Sequence, residues 1–180
     1  NITVIYYGLS PRFTRFGQLQ RAHTRRSFGF PDSDTHLVLI TGAAFYKNQL
    51  TSLDVFERLQ RMCKRPVKLV RLGRPYAEWN QAVSKSGLKD HVIELEFLPS
   101  DRMPDLYNSV DCLLFPSWYE GFGWPPLEAM ACGTPVATSN VASLPEVVGD
   151  AGFMLAPDDV EGLSRAVRRL VEDVNVRETF

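Results

Sequence analysis

Apolar runs of three to six residues alternate with amphipathic helical patterns along most of the chain. Runs of this length, bounded by glycine, proline or polar residues, are typical of buried strands. Because helical patterns separate them, the sequence predicts βα repetition and an α/β fold, with a parallel sheet that has helices on both faces. The predicted strands are Val4–Tyr7, Leu37–Thr41, Val67–Leu72, Val92–Leu95, Cys112–Phe115, Val136–Thr138 and Gly152–Leu155.

The clearest helical pattern runs from Asp159 to Val174. Its apolar positions recur at intervals of three or four residues and line one face, namely Val160, Leu163, Val167, Leu170 and Val174. Upstream, Ser143 and Glu146 have the spacing of a capping box. That spacing predicts a short helix whose start is capped by these two side chains.

Composition and charge limit the class of protein. The chain has 180 residues, 44% of them hydrophobic, so it can bury a core without disulfides and is expected to form one domain. A formal net charge of −1 argues against a nucleic-acid binder, whose affinity depends on neutralising phosphates. A basic cluster of Arg21, Arg25 and Arg26 is typical of a solvated helix face, although it could also contact an anionic membrane surface.

Cysteines and histidines show no metal-ligand spacing. The cysteines are odd in number and lie in apolar runs, which predicts buried thiols in a reducing compartment, at Cys63, Cys112 and Cys132. The histidines share no motif with a nucleophile and are expected at surface or loop positions, at His23, His36 and His91. The sequence shows no signal peptide or apolar stretch of transmembrane length. We therefore expect a location in the cytoplasm or at the inner face of the membrane.

The most informative segment runs from Pro116 to Pro135 and contains Glu120 and Glu128. It follows a predicted strand, and ligands of open α/β sheets bind beyond the carboxyl ends of strands. A Gly-x-Gly turn and two prolines lie between the glutamates, at Gly121, Gly123, Pro125 and Pro126. Glycine lets a ligand approach the backbone, and proline presets a first helical turn. The segment therefore predicts a phosphate on free helix amides from Leu127 to Ala129, without a metal.

Each of these residues also has an ordinary structural explanation. A Gly-x-Gly turn before a helix is common, and Glu128 in a first turn can simply complement the helix dipole. Two carboxylates would repel a phosphate unless they accept hydrogen bonds from hydroxyl groups beside it. Ribose and hexose supply such hydroxyls, so the combination predicts binding of a sugar attached to a diphosphate.

A family resemblance rests on the stretch Glu120-Gly-Phe-Gly-Trp-Pro-Pro-Leu-Glu128-Ala-Met-Ala-Cys-Gly-Thr-Pro-Val136. It resembles the Glu-x7-Glu signature of retaining GT-B glycosyltransferases that use nucleotide sugars, and weaker similarity extends over most of the chain. The resemblance implies that Glu120 lies beside the donor sugar hydroxyls near the reacting centre and that Glu128 binds the ribose diol. It also implies that the sugar and diphosphate contact the backbone at Gly121, Phe122, Gly123 and Leu127.

Lys47 follows a predicted strand and precedes a predicted helix. A lysine gains nothing from the positive end of a helix, which favours a phosphate role over that of an ordinary surface lysine. The resemblance likewise implies that Lys47 binds the diphosphate, in a loop that begins at Gly42. Family members often have Gly-Arg here, whereas Ala43 follows Gly42, so Lys47 either acts alone or is joined by an arginine such as Arg74.

Two further segments match the family pattern less well. Glu94 to Leu98 resembles the strand and turn whose backbone meets the nucleobase, which makes Leu98 a donor-binding candidate. That turn usually contains glycine where Glu96 stands, so the segment does not specify the base. The first eight residues resemble a strand and Asn-Gly turn at the junction between two domains, with Tyr7 in place of asparagine.

The resemblance also implies a domain organisation. GT-B enzymes bind the donor in a carboxyl-terminal Rossmann-like domain and make most acceptor contacts through an amino-terminal one. We expect residues 35–180 to be that donor-nucleotide-binding domain, the carboxyl-terminal half of a GT-B fold, preceded by an inter-domain segment and linker at residues 1–34. A glycan or lipid-linked acceptor would bind through the absent domain, so the isolated chain is expected to be inactive.

The implied function is retaining hexosyl transfer of mannosyl or glucosyl type, as in polysaccharide biosynthesis. The donor would be a nucleotide sugar such as GDP-mannose or UDP-glucose, with no metal or other cofactor. A nucleotide-sugar epimerase of the same fold and a catalytically silent sugar-nucleotide-binding module stay open as alternatives. A nicotinamide-dependent dehydrogenase and a P-loop phosphotransferase are disfavoured, because the sequence lacks the glycine motifs that those classes need.

Overall fold

Six parallel strands form one sheet in the computed structural model, which describes Thr3 and residues 7–179. The strands are β1 (His36–Thr41), β2 (Val67–Leu72), β3 (Val92–Leu95), β4 (Cys112–Phe115), β5 (Val136–Ser139) and β6 (Phe153–Leu155). Each of the six agrees with its predicted bounds to within one residue, so these predictions are confirmed. The seventh predicted strand, Val4–Tyr7, falls outside the described residues except for Tyr7.

Eight α-helices connect and flank the strands in the described part of the chain. They are α1 (Gln18–Ser27), α2 (Gln49–Met62), α3 (Ala77–Ser86), α4 (Met103–Ser109), α5 (Trp124–Ala131), α6 (Leu144–Val148), α7 (Val160–Glu172) and α8 (Val174–Thr179). The predicted helix at 159–174 is confirmed as α7. Asp159 caps its start, because the carboxylate accepts a hydrogen bond from the Gly162 amide at 2.8 Å.

The two faces of the sheet bury separate hydrophobic cores. Successive residues of β1 point to opposite faces, so Val38 and Ile40 pack in one core while Leu37 and Leu39 pack in the other. Helices α2, α3 and α7 cover the first face, and α1, α4, α5 and α6 lie on the second face or along its rim. The predicted α/β sheet with helices on both faces is confirmed.

Described residues of the segment 7–34 pack onto the sheet domain. Phe13 and Phe30 are buried in the second core, and α1 packs against α4. The proposed boundary at residue 35 stays a prediction.

The strand order is β3-β2-β1-β4-β5-β6, so β1 and β4 are neighbours although three helices and two strands separate them in sequence. From β1 the chain winds outward through β2 and β3, and from β4 it winds outward in the opposite direction. Loops that leave β1 and β4 therefore diverge and open a crevice at their carboxyl ends, the usual ligand position in such sheets. The loop with Lys47 follows β1, and the loop with Glu120 follows β4.

Two arginines of the basic cluster, Arg21 and Arg25, anchor α1 to the sheet. Arg21 Nη2 lies 2.5 Å from Asp111 Oδ1, and Arg25 Nη1 lies 3.2 Å from Asp111 Oδ2. The same carboxylate accepts a hydrogen bond from the Leu37 amide, so it joins α1 to the starts of β1 and β4. The predicted solvated face is therefore wrong for Arg25, which is buried, because a buried carboxylate requires a counter-ion.

Burial shifts the pKa values of His36 and of the cysteine thiols. His36 is buried at the start of β1, so its expected surface position is wrong, and burial lowers the pKa of its imidazole. Cys112 and Cys132 are buried as predicted, while Cys63 is half-buried. Burial raises the pKa of Cys63 to about 11 and that of Cys132 to about 12.

None of the helices in the described residues has the length and hydropathy needed to cross a membrane.

Candidate functional site

Lys47 and Glu120 meet at the crevice between β1 and β4. Lys47 ends a short 3₁₀ turn after β1, and Glu120 lies in the loop after β4. Lys47 Nζ is 2.7 Å from Glu120 Oε1, and the two side chains are only 14% and 9% exposed. The structure thus brings together Glu120, which the resemblance assigned to the reacting centre, and Lys47, which it assigned to the diphosphate, while their roles stay predictions.

Gly42 gives the lysine its position. Its φ of 84° is in the left-handed region, and a Cβ there would lie 2.9 Å from Lys47 Cγ. The lysine stem therefore packs directly on the Gly42 backbone. Its ammonium lies 4.7 Å from the centre of the Phe115 ring and 5.4 Å from that of Tyr46, which adds cation–π attraction.

Asn48 joins three loops beside this pair, and the sequence reasoning missed it. Its backbone is left-handed, with φ of 54° and ψ of 43°, a conformation that asparagine tolerates better than most residues. The buried side-chain amide donates to the carbonyls of Pro116 at 3.0 Å and Pro157 at 2.8 Å. An asparagine before a helix suggests an N-cap, yet this side chain makes no cap bond to α2.

The two glycines of the motif have different explanations. Gly123 has a φ of 102°, and a Cβ would lie 2.8 Å from Leu144 Cδ2, so the fold requires glycine there. Gly121 has no such requirement, since a Cβ would meet nothing within 4 Å. It borders a concavity of about 340 Å³ whose lining residues are Tyr7, Gly121, Phe122, Leu127, Ser143, Glu146 and Val147.

Helix α5 begins at Trp124, one residue before the prolines. The Leu127 amide donates to the Gly123 carbonyl at 3.3 Å, so the prediction that this amide is free is wrong. The reason is that Gly123 starts the helix early enough to bring Leu127 into the regular helical hydrogen-bond pattern. Donor binding by Leu127 and Phe122 stays a prediction.

The Ser143 hydroxyl holds the motif loop. It donates to the Phe122 carbonyl at 2.8 Å and lies 3.1 Å from the Glu120 carbonyl. Ser143 makes no side-chain cap bond at the start of α6, so the predicted capping box is wrong. Tertiary contact with the loop takes the hydroxyl instead.

Glu128 is half-buried next to Tyr107, a residue that the sequence reasoning did not consider. The Tyr107 hydroxyl donates to Glu128 Oε2 at 2.8 Å. Burial raises the pKa of Glu128, while this hydrogen bond and nearby Arg12 act in the opposite direction. Within the described residues, Oε1 of Glu128 receives no hydrogen bond, so it can accept one from a ligand hydroxyl.

An aromatic group lies against the motif. Tyr7 is 70% exposed, and its ring centre lies 5.6 Å from that of Phe122 and 5.7 Å from that of Trp124. The residue that replaces the family asparagine thus covers part of the concavity.

The other candidates lie around the carboxyl ends of β2 and β3. The Arg74 side chain is exposed, and the Arg74 carbonyl accepts a hydrogen bond from Arg71 at 2.9 Å. Leu98 follows β3 and packs partly buried against the second core. Fully buried Arg71 was missed, although a charge within the apolar strand Val67–Leu72 was a visible signal.

Solved structures share this fold. Anabaena HepE in complex with UDP and glucose matches with a TM-score of 0.82 over 96% of this chain and 48% of that chain, at 23% identity. The carboxyl-terminal domain of a group 1 glycosyl transferase, LpcC, from Francisella tularensis matches with a TM-score of 0.77 over 92% and 88%, at 21% identity. The six-stranded parallel sheet with helices on both sides is therefore that of Rossmann-like GT-B domains.

Curated relatives match at higher identity. O-antigen chain mannosyltransferase B of Escherichia coli is 44% identical over 98 residues, which are 54% of this chain and 26% of that protein. An uncharacterized glycosyltransferase of Methanocaldococcus jannaschii is 32% identical over 186 aligned positions, which cover 98% of this chain and 46% of that protein. The chain thus spans less than half the length of these relatives.

The family model described as glycosyl transferases group 1 matches residues 20–180. This range is most of the chain and includes β1 to β6, the Lys47 loop and the motif from Glu120 to Glu128. The chain therefore belongs to the glycosyl transferases group 1 family.

Proposed function

We propose that this chain is the donor-binding domain of a retaining hexosyltransferase that uses a nucleotide-diphosphate sugar. The observation that supports it best is the 2.7 Å contact between Lys47 and Glu120, which lie 73 residues apart in sequence and meet where β1 and β4 diverge. A cation and a carboxylate in that crevice suit a ligand that has both phosphates and hydroxyls.

The sugar in one relative's name and the ligand in one solved structure support a hexosyl nucleotide donor, for which we propose GDP-mannose or UDP-glucose. The Escherichia coli relative is named a mannosyltransferase, and Anabaena HepE has been solved with UDP-glucose. In our proposal Lys47 binds the diphosphate, Glu120 accepts hydrogen bonds from the transferred sugar, and Glu128 binds the ribose diol with Tyr107 fixing its orientation.

Donor binding requires the Lys47–Glu120 pair to open. The ammonium then moves to the diphosphate, and the carboxylate takes the sugar hydroxyls as new partners. In the transfer step the bond between the anomeric carbon and the diphosphate breaks, and the leaving group gains negative charge that Lys47 stabilises. The acceptor hydroxyl attacks the face that the diphosphate leaves and passes its proton to the departing diphosphate oxygen, so the new glycosidic bond retains the configuration.

The remaining parts of the proposal concern the longer protein. We propose that a second domain positions a glycan or lipid-linked acceptor, since positioning is worth several kcal/mol in a two-substrate reaction. Lys47 and backbone amides near Gly121 neutralise the diphosphate without a metal ion. The enzyme would act in the cytoplasm or at the inner face of the membrane.

Calorimetry with UDP, GDP, ATP and inorganic phosphate tests the donor assignment on the 180-residue chain. We expect UDP or GDP to bind in the high micromolar to millimolar range, because one wall of an open cleft leaves the ligand solvated. A Glu128→Gln variant removes the negative charge of the carboxylate that we propose accepts hydrogen bonds from the ribose. Glu57→Gln, on the exposed face of α2, makes the same change of side chain away from the site and is the matched control. Failure of the unaltered folded chain to bind any nucleotide would refute the proposal.

A further inference from the structure

Arg71 is a buried arginine whose donors are almost all used inside the protein. It lies on β2 in register with Ile40 of β1 and Glu94 of β3, and its side chain is fully buried. Nε donates to Gln49 Oε1 at 2.9 Å, and Nη1 donates to Glu94 Oε2 at 2.9 Å. Its guanidinium therefore spans from the start of α2 to β3.

The same guanidinium holds the loop that follows β2. Nη1 donates to the Gly73 carbonyl at 2.7 Å, and Nη2 donates to the Arg74 carbonyl at 2.9 Å. Gly73 in turn lies against the loop after β1, since a Cβ there would be 3.1 Å from the Gly42 carbonyl carbon. Arg71 thus fixes two of the loops at the carboxyl edge of the sheet relative to each other.

A second set of contacts leads from Arg71 to Lys47. Gln49 accepts from Arg71 and donates through Nε2 to the Gly42 carbonyl. Gly42 forms the surface on which the Lys47 stem packs. One side chain, that of Gln49, and the backbone of Gly42 therefore separate the buried arginine from the lysine whose ammonium is assigned to the diphosphate.

Stability alone does not explain a charge at this position. Burying an arginine is costly, and well-packed apolar residues often stabilise a core equally well. Glu94 is 35% exposed and also accepts a hydrogen bond from the Trp79 indole at 2.6 Å, so the carboxylate of the pair is partly open to solvent near the carboxyl ends of β2 and β3. Multiple hydrogen bonds in fixed directions orient backbone carbonyls in a way that an apolar side chain cannot.

We propose that Arg71 is a positioning residue for donor binding, which holds the loops at Gly42 and Gly73 so that Lys47 meets the diphosphate. This inference rests on the proposed function, in that Lys47 is taken as the diphosphate ligand. Arg71 itself touches no substrate, because its side chain is fully buried and four of its five N–H donors bond to protein groups.

The test is UDP and GDP affinity of the 180-residue chain by calorimetry, with uridine and guanosine as references. We expect Arg71→Met to weaken diphosphate binding about fivefold to tenfold and nucleoside binding less than about twofold, because the charge-assisted contact of Lys47 is weakened but not lost. Arg71→Lys keeps the charge but not the forked geometry, so we expect a similar loss. Gln49→Met removes the hydrogen bond to the Gly42 carbonyl without altering the charge. It should likewise weaken diphosphate binding more than nucleoside binding.

Arg25→Met is the matched control. Arg25 is also buried, also pairs with a carboxylate and also donates to backbone carbonyls, but it lies near the starts of β1 and β4, away from the crevice. We expect it to lower the melting temperature as Arg71→Met does while leaving diphosphate affinity unchanged. If Arg71→Met does not fold, Arg71→Lys and Gln49→Met provide the comparison.

Several outcomes would overturn the inference. Full affinity in Arg71→Lys together with full affinity in Gln49→Met would show that only the charge at residue 71 matters. An equal loss in Arg25→Met would show that general destabilisation is the cause. In a Lys47→Met background, Arg71→Met must have little further effect, since Arg71 acts through Lys47. Absence of nucleotide binding by the unaltered chain would instead refute the proposed function.

Discussion

Replacement of Lys47 by methionine removes a cation while keeping most of the side-chain stem. The stem packs on Gly42 and the ammonium lies over the Phe115 ring, so methionine preserves the apolar contacts and removes the charge. Loss of one charge-assisted hydrogen bond to the diphosphate costs about 1.5–3 kcal/mol. We therefore expect the dissociation constant for UDP or GDP to rise about 10- to 150-fold.

Part of that loss comes from Glu120. The Glu120 side chain is 9% exposed and pairs with Lys47 at 2.7 Å, so the variant leaves a nearly buried carboxylate beside the incoming phosphates. A Lys47→Met and Glu120→Gln double variant removes this repulsion, and we expect it to bind UDP or GDP more tightly than Lys47→Met alone.

Calorimetry on the 180-residue chain measures both effects. Uridine and guanosine lack the diphosphate, so their affinity is expected to change less than about twofold. Lys64→Met, in the exposed loop between α2 and β2, makes the same change in net charge away from the crevice. Equal losses for nucleoside and diphosphate, or an equal loss in Lys64→Met, would refute the reasoning.

Three further predictions concern the motif. Burial raises the pKa of Glu128, so its carboxylate takes up a proton at a higher pH than an ordinary glutamate does. Binding of guanosine or uridine should therefore weaken as the pH falls, beginning at that higher pH. Glu128→Gln should remove this pH dependence in a calorimetric pH series. Ser143→Ala removes the donor to the Phe122 carbonyl, so we expect about 1 kcal/mol lower stability in urea unfolding and weaker binding of UDP-glucose or GDP-mannose. Loss of stability without loss of binding would show that this loop does not contribute to the donor site. In a longer chain that includes the acceptor domain, Glu120→Gln should depress turnover without weakening UDP or GDP binding, because the glutamine no longer competes with the diphosphate for the Lys47 ammonium. Normal turnover would exclude Glu120 from the reacting centre.

Sequence patterns predict the sheet well because buried parallel strands are short apolar runs. The runs at Val67–Leu72 and Val92–Leu95 need no tertiary information, and both match the structure in their bounds. The motif around Glu120 is also visible in sequence, since its glycines and prolines lie next to a predicted strand. Its contact with Lys47 follows only once the order of the strands places β1 beside β4.

Long-range partners of polar side chains explain the errors. Ser143 has the local spacing of a helix cap, but its hydroxyl contacts a loop about 20 residues earlier in the chain. Arg25 has the local pattern of a solvated face, but Asp111 neutralises it inside the protein. Local periodicity contains no information on either partner, and the same holds for Arg71 and Gln49.

The Lys47–Glu120 pair has a consequence for selectivity. With its two charges balanced, the empty crevice offers little net attraction to anions in general. Inorganic phosphate would pair with Lys47 but leave the Glu120 carboxylate without a partner. A free hexose would hydrogen-bond to Glu120 but leave the Lys47 ammonium without a partner. If the proposed roles hold, a nucleotide sugar replaces both partners at once, so we expect the site to bind the joined molecule in preference to either of its separate halves.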